Sequence, residues 1–482
     1  MNRELTNART KHETGFDYVV NSINIGTPFG KKLIKEKAPF FSGEENLLKE
    51  EFQRLNKILE FVKQNPDSVD VLTRLFSEIK DVSFTIMRSS KEVLSVVELF
   101  EIKSLLLKME KISKVLYDAH IVIPEKYILT DITSLLEKLD IRKDRMETFY
   151  VYDEFSVTLA DARKRKKEIE RLVRDGQKEQ SELNAILEVI EEQELLVREK
   201  LSEEIGAYSE ALLENCMKIG ELDIAIAKTA YALKTKCVLP EIIDEHIIEI
   251  EDGRHLKVYD ILAEKGKEYC PVSIALSDGV TCITGANMGG KTVSIKLVGL
   301  IQLLVQNAFF VPCKRAAVGL SNYVQILIGD NQSLERGLSS FGSEMEVLKE
   351  ILERGEDKSL FLIDEIASGT NPKEGFALTK SIVEHMKKKP YISLITTHFD
   401  NIAGDDGVNN LQVAGLSEVD FEKLDKEIRE ADKNERIDII AKYMDYRLHK
   451  VTKDKKVQAD AINIARILGI SEEIIENAKK YL

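Results

Sequence analysis

Three short segments in the second half of this chain carry residue types that act on phosphate. The first is Gly285-Ala286-Asn287-Met288-Gly289-Gly290-Lys291-Thr292, a glycine-bounded loop ending in Lys and Thr. It follows an apolar β-branched run, Thr281 to Thr284, and opens an apolar helical stretch, Val293 to Leu304. Strand, glycine loop and helix start in that order let backbone N–H groups curl around an anion at a helix N-terminus. Lys291 then reaches the outer phosphates of a nucleotide, and the Thr292 hydroxyl is placed to ligate Mg2+. The second segment is Leu360-Phe361-Leu362-Ile363-Asp364-Glu365. An apolar strand ending in adjacent carboxylates puts Asp364 near a metal shell and Glu365 within reach of a water. The third, Thr396-Thr397-His398-Phe399, also follows an apolar run, and His398 there holds the attacking water or senses the γ-phosphate. Taken singly, each has a bland reading: a glycine-rich turn, the acids of a helix's first turn, a structural histidine. Their order along the chain favours one ATP-binding and ATP-hydrolysing site.

The elements that position these segments follow from composition and pattern. At 482 residues and 43% hydrophobic content the chain exceeds one ordinary domain and fills a sizeable core. A 32% charged fraction with no Trp and little Gly or Pro favours long, solvent-washed helices. A net charge of -14 argues against a surface that attracts nucleic acid everywhere, though an acidic body can still carry a local basic patch. The start of the chain lacks a secretory apolar stretch, and the apolar run near Leu297 to Val311 is broken by Gln302, Gln306 and Asn307. The expectation is a cytoplasmic protein with no membrane partner. Five cysteines, with no pair at metal-ligand or redox spacing, read as reduced buried thiols.

From Glu44 to Leu139 apolar residues recur at three- and four-residue steps, a helical pattern. Asp161 to Ile219 has almost no breakers and an apolar seam through Leu187, Ile190, Val197 and Leu201. It predicts two long helices forming an antiparallel arm that turns near Asp175-Gly176-Gln177. The cluster Arg163-Lys164-Arg165-Lys166-Lys167 on that arm is either a phosphate-contacting patch or, diluted by Glu168 and Glu170, a solvated helix face. Beyond Leu239-Pro240, β-branched runs at 280–284, 324–328, 360–363 and 392–395 alternate with helical stretches, an α/β signature with a largely parallel sheet. The tail from Ala459 to Leu482 reads as a helix-turn-helix pair with Ser471 as an N-cap.

Together the three segments resemble the ATPase of the MutS family, a branch of the ABC-type nucleotidases. The resemblance rests on the Asn287-Met288-Gly289-Gly290-Lys291 core, on Asp364-Glu365-Ile366-Ala367-Ser368-Gly369-Thr370-Asn371-Pro372 and on Thr397-His398. Leu338 to Met345 looks like the family's signature segment. That likeness implies Ser339 acting in trans on a partner's nucleotide, hence a homodimer with two composite ATP sites. Tyr269 lies where the family has an aromatic that stacks on adenine, and ATP with Mg2+ is the implied cofactor pair. Further similarities are Gly253-Arg254-His255; Ile25 to Gly30, Glu98 to Ile102 and Phe155 to Ala160, which resemble the family's core-domain helices; and Leu222 to Ala227, which resembles the helix that returns from the lever arm to the core.

The fold expected is multidomain, α plus α/β. It comprises a helical core (1–160), a coiled-coil lever arm (161–220), a return to the core (221–250), an ABC-type P-loop ATPase domain (251–445) and C-terminal dimerisation helices (446–482). Set against the family pattern, the expectation is a chain without the mismatch-recognition and connector domains and without the clamp insertion of the arm. Thr292-Val293 stands in place of Ser-Thr, and Glu374 in place of Asp. The resemblance implies a nucleotide-switched dimer that binds DNA. Two other readings remain: an ATP-dependent remodeller of a protein client, such as a cobalamin-dependent aminomutase, and a nucleotide-bound scaffold with negligible turnover.

Overall fold

The computed structural model describes residues 3–481 apart from 120, 286–289, 330–339, 356, 368–369, 398, 400–401, 403–405, 416–418, 420, 431–438, 440–442, 452–461, 463–464 and 467–468. The chain divides into two compact units, and they do not follow chain order. One unit joins Met1–Ile23, Ala38–Gln53 and Tyr231–Leu482; the other joins Asn24–Lys37 and Arg54–Ala230.

The second unit is helical. Helix Pro28–Glu36 starts where the pattern Thr-Pro predicts, with Pro28 in its first turn and Thr27 Oγ1 accepting from Gly30 N at 2.9 Å. Asp223, on helix Ser209–Thr235, accepts from Thr27 N and Thr27 Oγ1, both at 2.7 Å. A Cβ on Gly220 would lie 3.0 Å from Gly30 N, so the two backbones approach as closely as glycine permits. Two segments singled out in the sequence, 25–30 and 222–227, are thereby tied together. Helix Val96–Asp118 begins with a capping box between Ser95 and Glu98 and buries Leu99, Ile102 and Leu106. Its Lys103, also buried, lies 2.9 Å from the buried Asp140.

The arm is a helical hairpin, Val157–Arg174 packed against Gln180–Ala207, with Gly176 at φ +71° in the turn. Ile190, Val197 and Leu201 are buried along it. Arg163 is bound by Asp153 and Glu194 at 2.6 and 2.7 Å, and Lys164, Arg165 and Lys167 are exposed to solvent.

Among the described residues, the first unit holds two sheets. The six-stranded sheet has the order β10-β9-β4-β8-β7-β6, formed by β4 (Gly279–Thr284), β6 (Tyr323–Ile328), β7 (Ser359–Asp364), β8 (Tyr391–Thr396), β9 (Val408–Gly415) and β10 (Asp445–Lys450). All its pairings are parallel except β9 with β10. Strands β7 and β8 are buried at every position, as continuous apolar runs between two covered faces must be. The largely parallel sheet expected from the sequence is therefore present. A second sheet, order β1-β5-β2-β3, consists of β1 (Glu241–Ile243), β2 (Ile247–Gly253), β3 (Val272–Ser277) and β5 (Arg315–Gly319), and the sequence pattern did not reveal it.

The amino-terminal segment covers the open edge of β6. Leu5 O accepts from Val324 N at 2.8 Å, Thr10 Oγ1 from Ile326 N at 3.3 Å, and Ile328 O from Arg9 Nη2 at 3.3 Å. An edge strand with unpaired backbone groups is a liability, and these bonds satisfy it. Thr14 then packs on Gly299 of helix Gly290–Gln306, where a Cβ would lie 2.6 Å from the threonine methyl. Among the described residues, no helix is long and apolar enough to cross a membrane. Of the C-terminal helix pair, Glu472–Lys479 is described, with Ser471 at its N-cap position but making no side-chain cap bond.

Candidate active site

Parallel pairing fixes where the three chemical segments meet. In register, Ile283 of β4 lies beside Thr396 of β8, and Thr396 lies beside Asp364 of β7. The carboxyl ends of the three neighbouring strands therefore form one rim, the usual position of a ligand crevice in an open α/β sheet.

At that rim β4 runs into Gly285, whose φ of +116° is open to glycine and strained for other residues. A Cβ there would also press on Val413 O at 3.3 Å. Gly290 begins the helix that follows, with the Tyr446 ring so close that a Cβ would lie 2.8 Å from Tyr446 Cδ1. Lys291 is buried to 3% exposure; its Nζ donates to Gly285 O at 3.0 Å and stands 3.7 Å from Glu365 Oε1. Thr292 Oγ1 donates to Asp364 Oδ2 at 2.7 Å, and Thr396 Oγ1 donates to the other oxygen, Oδ1, at 2.6 Å. Thr396 Oγ1 also accepts from Glu365 N at 3.0 Å. One hydroxyl thus holds both the carboxylate of Asp364 and the backbone of Glu365.

Glu365 itself has φ +53°, and Ala367, two residues on, has φ +56°. Left-handed backbone at two non-glycine residues costs about 1–2 kcal/mol each, and such strain clusters where a side chain must be aimed. Ile366 and Ala367 are buried and Glu365 is partly exposed, so the turn is anchored while its acid faces the rim. The next helix, Pro372–Met386, is N-capped by Asn371, whose Oδ1 accepts from Lys373 N at 3.0 Å. Glu374, the departure from the family pattern, stands exposed in its first turn, where a negative charge suits the helix dipole.

Thr292 Oγ1 and the Asp364 carboxylate are hard oxygen donors 2.7 Å apart, a donor set that fits Mg2+. Among the described residues there is no cluster of three or more His, Cys, Asp or Glu that would hold a metal by protein ligands alone. A cation sharing its shell with water and substrate phosphate suits that pattern.

Of the residues the sequence singled out, Gly285, Gly290, Lys291, Thr292, Asp364 and Glu365 converge on the rim. Ala286, Asn287, Met288, Gly289, Ser339 and His398 lie outside the described residues. Tyr269 is half-buried: its hydroxyl accepts from His255 N at 3.0 Å, its ring is tilted on Tyr259, and burial pushes its phenol up to about 12. Next to it, burial raises the Cys270 thiol above its ordinary range. Tyr446 and the role of Thr396 as a positioning hydroxyl were not read from the sequence. Only Thr396 had a signal there, a polar residue closing an apolar strand.

Residues 281–482 match the family described as MutS domain V. The Endonuclease MutS2 of Clostridium botulinum is 35% identical over 254 residues, which cover 51% of this chain and 30% of that relative. The Endonuclease MutS2 of Halothermothrix orenii is 36% identical over 244 residues, 48% of this chain and 29% of the relative. That of Shouchella clausii is 33% identical over 289 residues, 59% of this chain and 33% of the relative. The matched segments thus span about a third of these relatives or less.

Proposed function

The chain carries a MutS-family ATPase domain, and from that premise we propose that it hydrolyses ATP in a Mg2+-dependent reaction at the rim of β4, β8 and β7, and that a homodimer uses the cycle to act on DNA. The observation that carries the hydrolysis is the bonded chain Thr292–Asp364–Thr396–Glu365 N beside the buried Lys291.

In this reading the N-terminus of helix Gly290–Gln306 and Lys291 bind the outer phosphates, Lys291 exchanging its bond to Gly285 O for phosphate oxygen. Thr292 and Asp364 hold Mg2+. When bound, the ion neutralises charge on the transferring phosphoryl group. Glu365, aimed by its left-handed backbone, accepts a proton from the attacking water, and His398 orients that water. Tyr446, whose ring lies on Gly290, and Tyr269 are the aromatic surfaces for the base. Ser339 completes the site of a partner subunit, and the hairpin 157–207 is the lever arm that nucleotide state moves. The relatives' name is that of a nuclease, which favours nucleic acid over a protein client for this chain as well.

The test is steady-state phosphate release with Mg-ATP, alongside electrophoretic mobility shift of duplex and branched DNA at low salt. Expected are turnover abolished by Lys291→Ala and DNA affinity that changes between ATP and ADP and weakens with salt. Nucleotide-independent absence of any DNA shift would remove the DNA part, and turnover unaffected by Lys291→Ala would remove the site.

A further inference from the structure

A glycine has no side chain with which to anchor its own backbone, so a glycine-bounded phosphate loop is held by what packs against it. Both bounding glycines of this loop rest on one hairpin. A Cβ on Gly285 would lie 3.3 Å from Val413 O of β9, and one on Gly290 would lie 2.8 Å from Tyr446 Cδ1 of β10. Gly290 is the first residue of helix Gly290–Gln306, so the ring lies against the helix end whose N–H groups suit an anion.

Tyr446 stands in a β-bulge. Asp445 pairs with Gly415 and Leu448 with Val413, so Tyr446 and Arg447 on β10 oppose Ala414 alone on β9. A bulge bends its strand and re-aims a side chain. This one is pinned across its base: Asp445 Oδ1 accepts from Arg447 N at 2.9 Å and Asp445 Oδ2 accepts from Arg447 Nε at 2.9 Å. Tyr446 also packs on a small apolar cluster of Leu424, Ile428 and Met444, at 0%, 2% and 6% exposure. Leu424 and Ile428 belong to helix Phe421–Glu430, and Tyr443 OH donates to Glu427 Oε1 of the same helix at 2.7 Å. About two to five residues suffice to close a hairpin. Here residues 416–444 join β9 to β10, and their described part brings an apolar cluster to the ring that lies on Gly290.

We propose that Tyr446 is a positioning residue for the phosphate loop, its ring holding the Gly290 helix end against the β9–β10 hairpin, and that the cluster Leu424–Ile428–Met444 buttresses the ring. The proposal deepens the reading of this rim as the nucleotide site and rests on it. A residue that only stacks on a base acts on ligands that have one. A residue that shapes the loop acts on the phosphates alone, and Mg-tripolyphosphate separates the two.

Four variants of the full chain are compared: Tyr446→Ala, Tyr446→Phe, Leu424→Ala and the double variant Tyr446→Ala with Leu424→Ala. Binding of Mg-ATP and of Mg-tripolyphosphate is read by calorimetry, deuterium uptake by the peptide containing Gly290 is read without nucleotide, and urea midpoints report stability. Tyr446→Ala should weaken ATP and tripolyphosphate alike, by about tenfold, and speed exchange at Gly290. Tyr446→Phe, which keeps the ring, recovers both. Leu424→Ala should shift both in the same direction by about threefold, and the double variant should fall short of the product of the single effects. Loss of ATP affinity with tripolyphosphate affinity unchanged overturns the proposal, as does unchanged exchange at Gly290 in Tyr446→Ala. Independent effects of the two substitutions overturn the buttress. If Tyr446→Ala does not fold, tripolyphosphate affinity and Gly290 exchange in Leu424→Ala decide. If wild type binds neither ATP nor tripolyphosphate, the nucleotide reading fails, and exchange at Gly290 still decides whether Tyr446 holds the helix end.

Discussion

Replacing Thr396 with Val removes one hydroxyl and almost no volume. That hydroxyl donates to Asp364 Oδ1 at 2.6 Å and accepts from Glu365 N at 3.0 Å, in a place where Thr396 is fully buried. A hydrogen bond to a charged group contributes about 1.5–3 kcal/mol and a neutral one about 1 kcal/mol, so the loss is roughly 2–4 kcal/mol if nothing replaces them. Asp364 keeps its bond from Thr292, which places the expected value near the lower end, about 2 kcal/mol. Part of this appears in stability and part in the orientation of Glu365. At about 1.4 kcal/mol per decade, a tenfold to thirtyfold fall in kcat is expected. Lys291 and the start of its helix are untouched, so ATP affinity stays within about threefold of wild type. The assay pairs phosphate release at saturating Mg-ATP with a urea unfolding curve, and Thr396→Ser, which keeps the hydroxyl, is the control. Wild-type turnover in Thr396→Val, or a loss confined to ATP affinity, would mean that this hydroxyl does not align the acid.

Thr292→Val removes a proposed Mg2+ ligand and leaves Lys291 in place; the Mg2+ concentration for half-maximal turnover should rise at least about tenfold, with Thr292→Ser near wild type. Lys103→Ala leaves the buried Asp140 without its closest cation, and a loss of about 3 kcal/mol or more should appear in urea unfolding of the helical unit. His255 is held neutral: its Nε2–H donates to Thr14 O at 3.0 Å, and burial, more than nearby Lys296, brings its pKa down to about 4. The unfolded chain therefore binds the extra proton first, so this contribution is complete above about pH 6.5 and is lost as pH falls toward 4, roughly 3 kcal/mol in all. A His255→Gln variant should show a flatter stability profile across that window when urea midpoints are compared.

What the sequence disclosed follows from which physical signals are local. Strands β7 and β8 are continuous apolar runs closed by polar residues, so both the strands and the acids or hydroxyls at their ends could be read directly. The hairpin arm was legible for a similar reason, since an unbroken helical period ending at Gly176 admits one turn. The four-stranded sheet was harder. Its strand β3 alternates buried and exposed residues cleanly, but β1 is three residues long, and the sheet joins 241–277 to 315–319 across the helix that intervenes. Chain order also hid that residues 1–23 belong with the C-terminal half, because the attachment uses Leu5 O and Thr10 Oγ1 against backbone N–H groups of β6, bonds that leave no residue pattern. At the site, Tyr446 went unread, because it is brought to Gly290 by tertiary packing from β10, an element with no motif of its own pointing there.

In the proposed reaction Glu365 performs the proton transfer at a site that binds ATP without it. The direct measurement is a single-turnover experiment with enzyme in excess over radiolabelled Mg-ATP, comparing wild type with Glu365→Gln. Glu365→Gln should bind ATP with affinity within about threefold of wild type and cleave it at least about a hundredfold more slowly. Cleavage at the wild-type rate in Glu365→Gln, with binding intact, would contradict it.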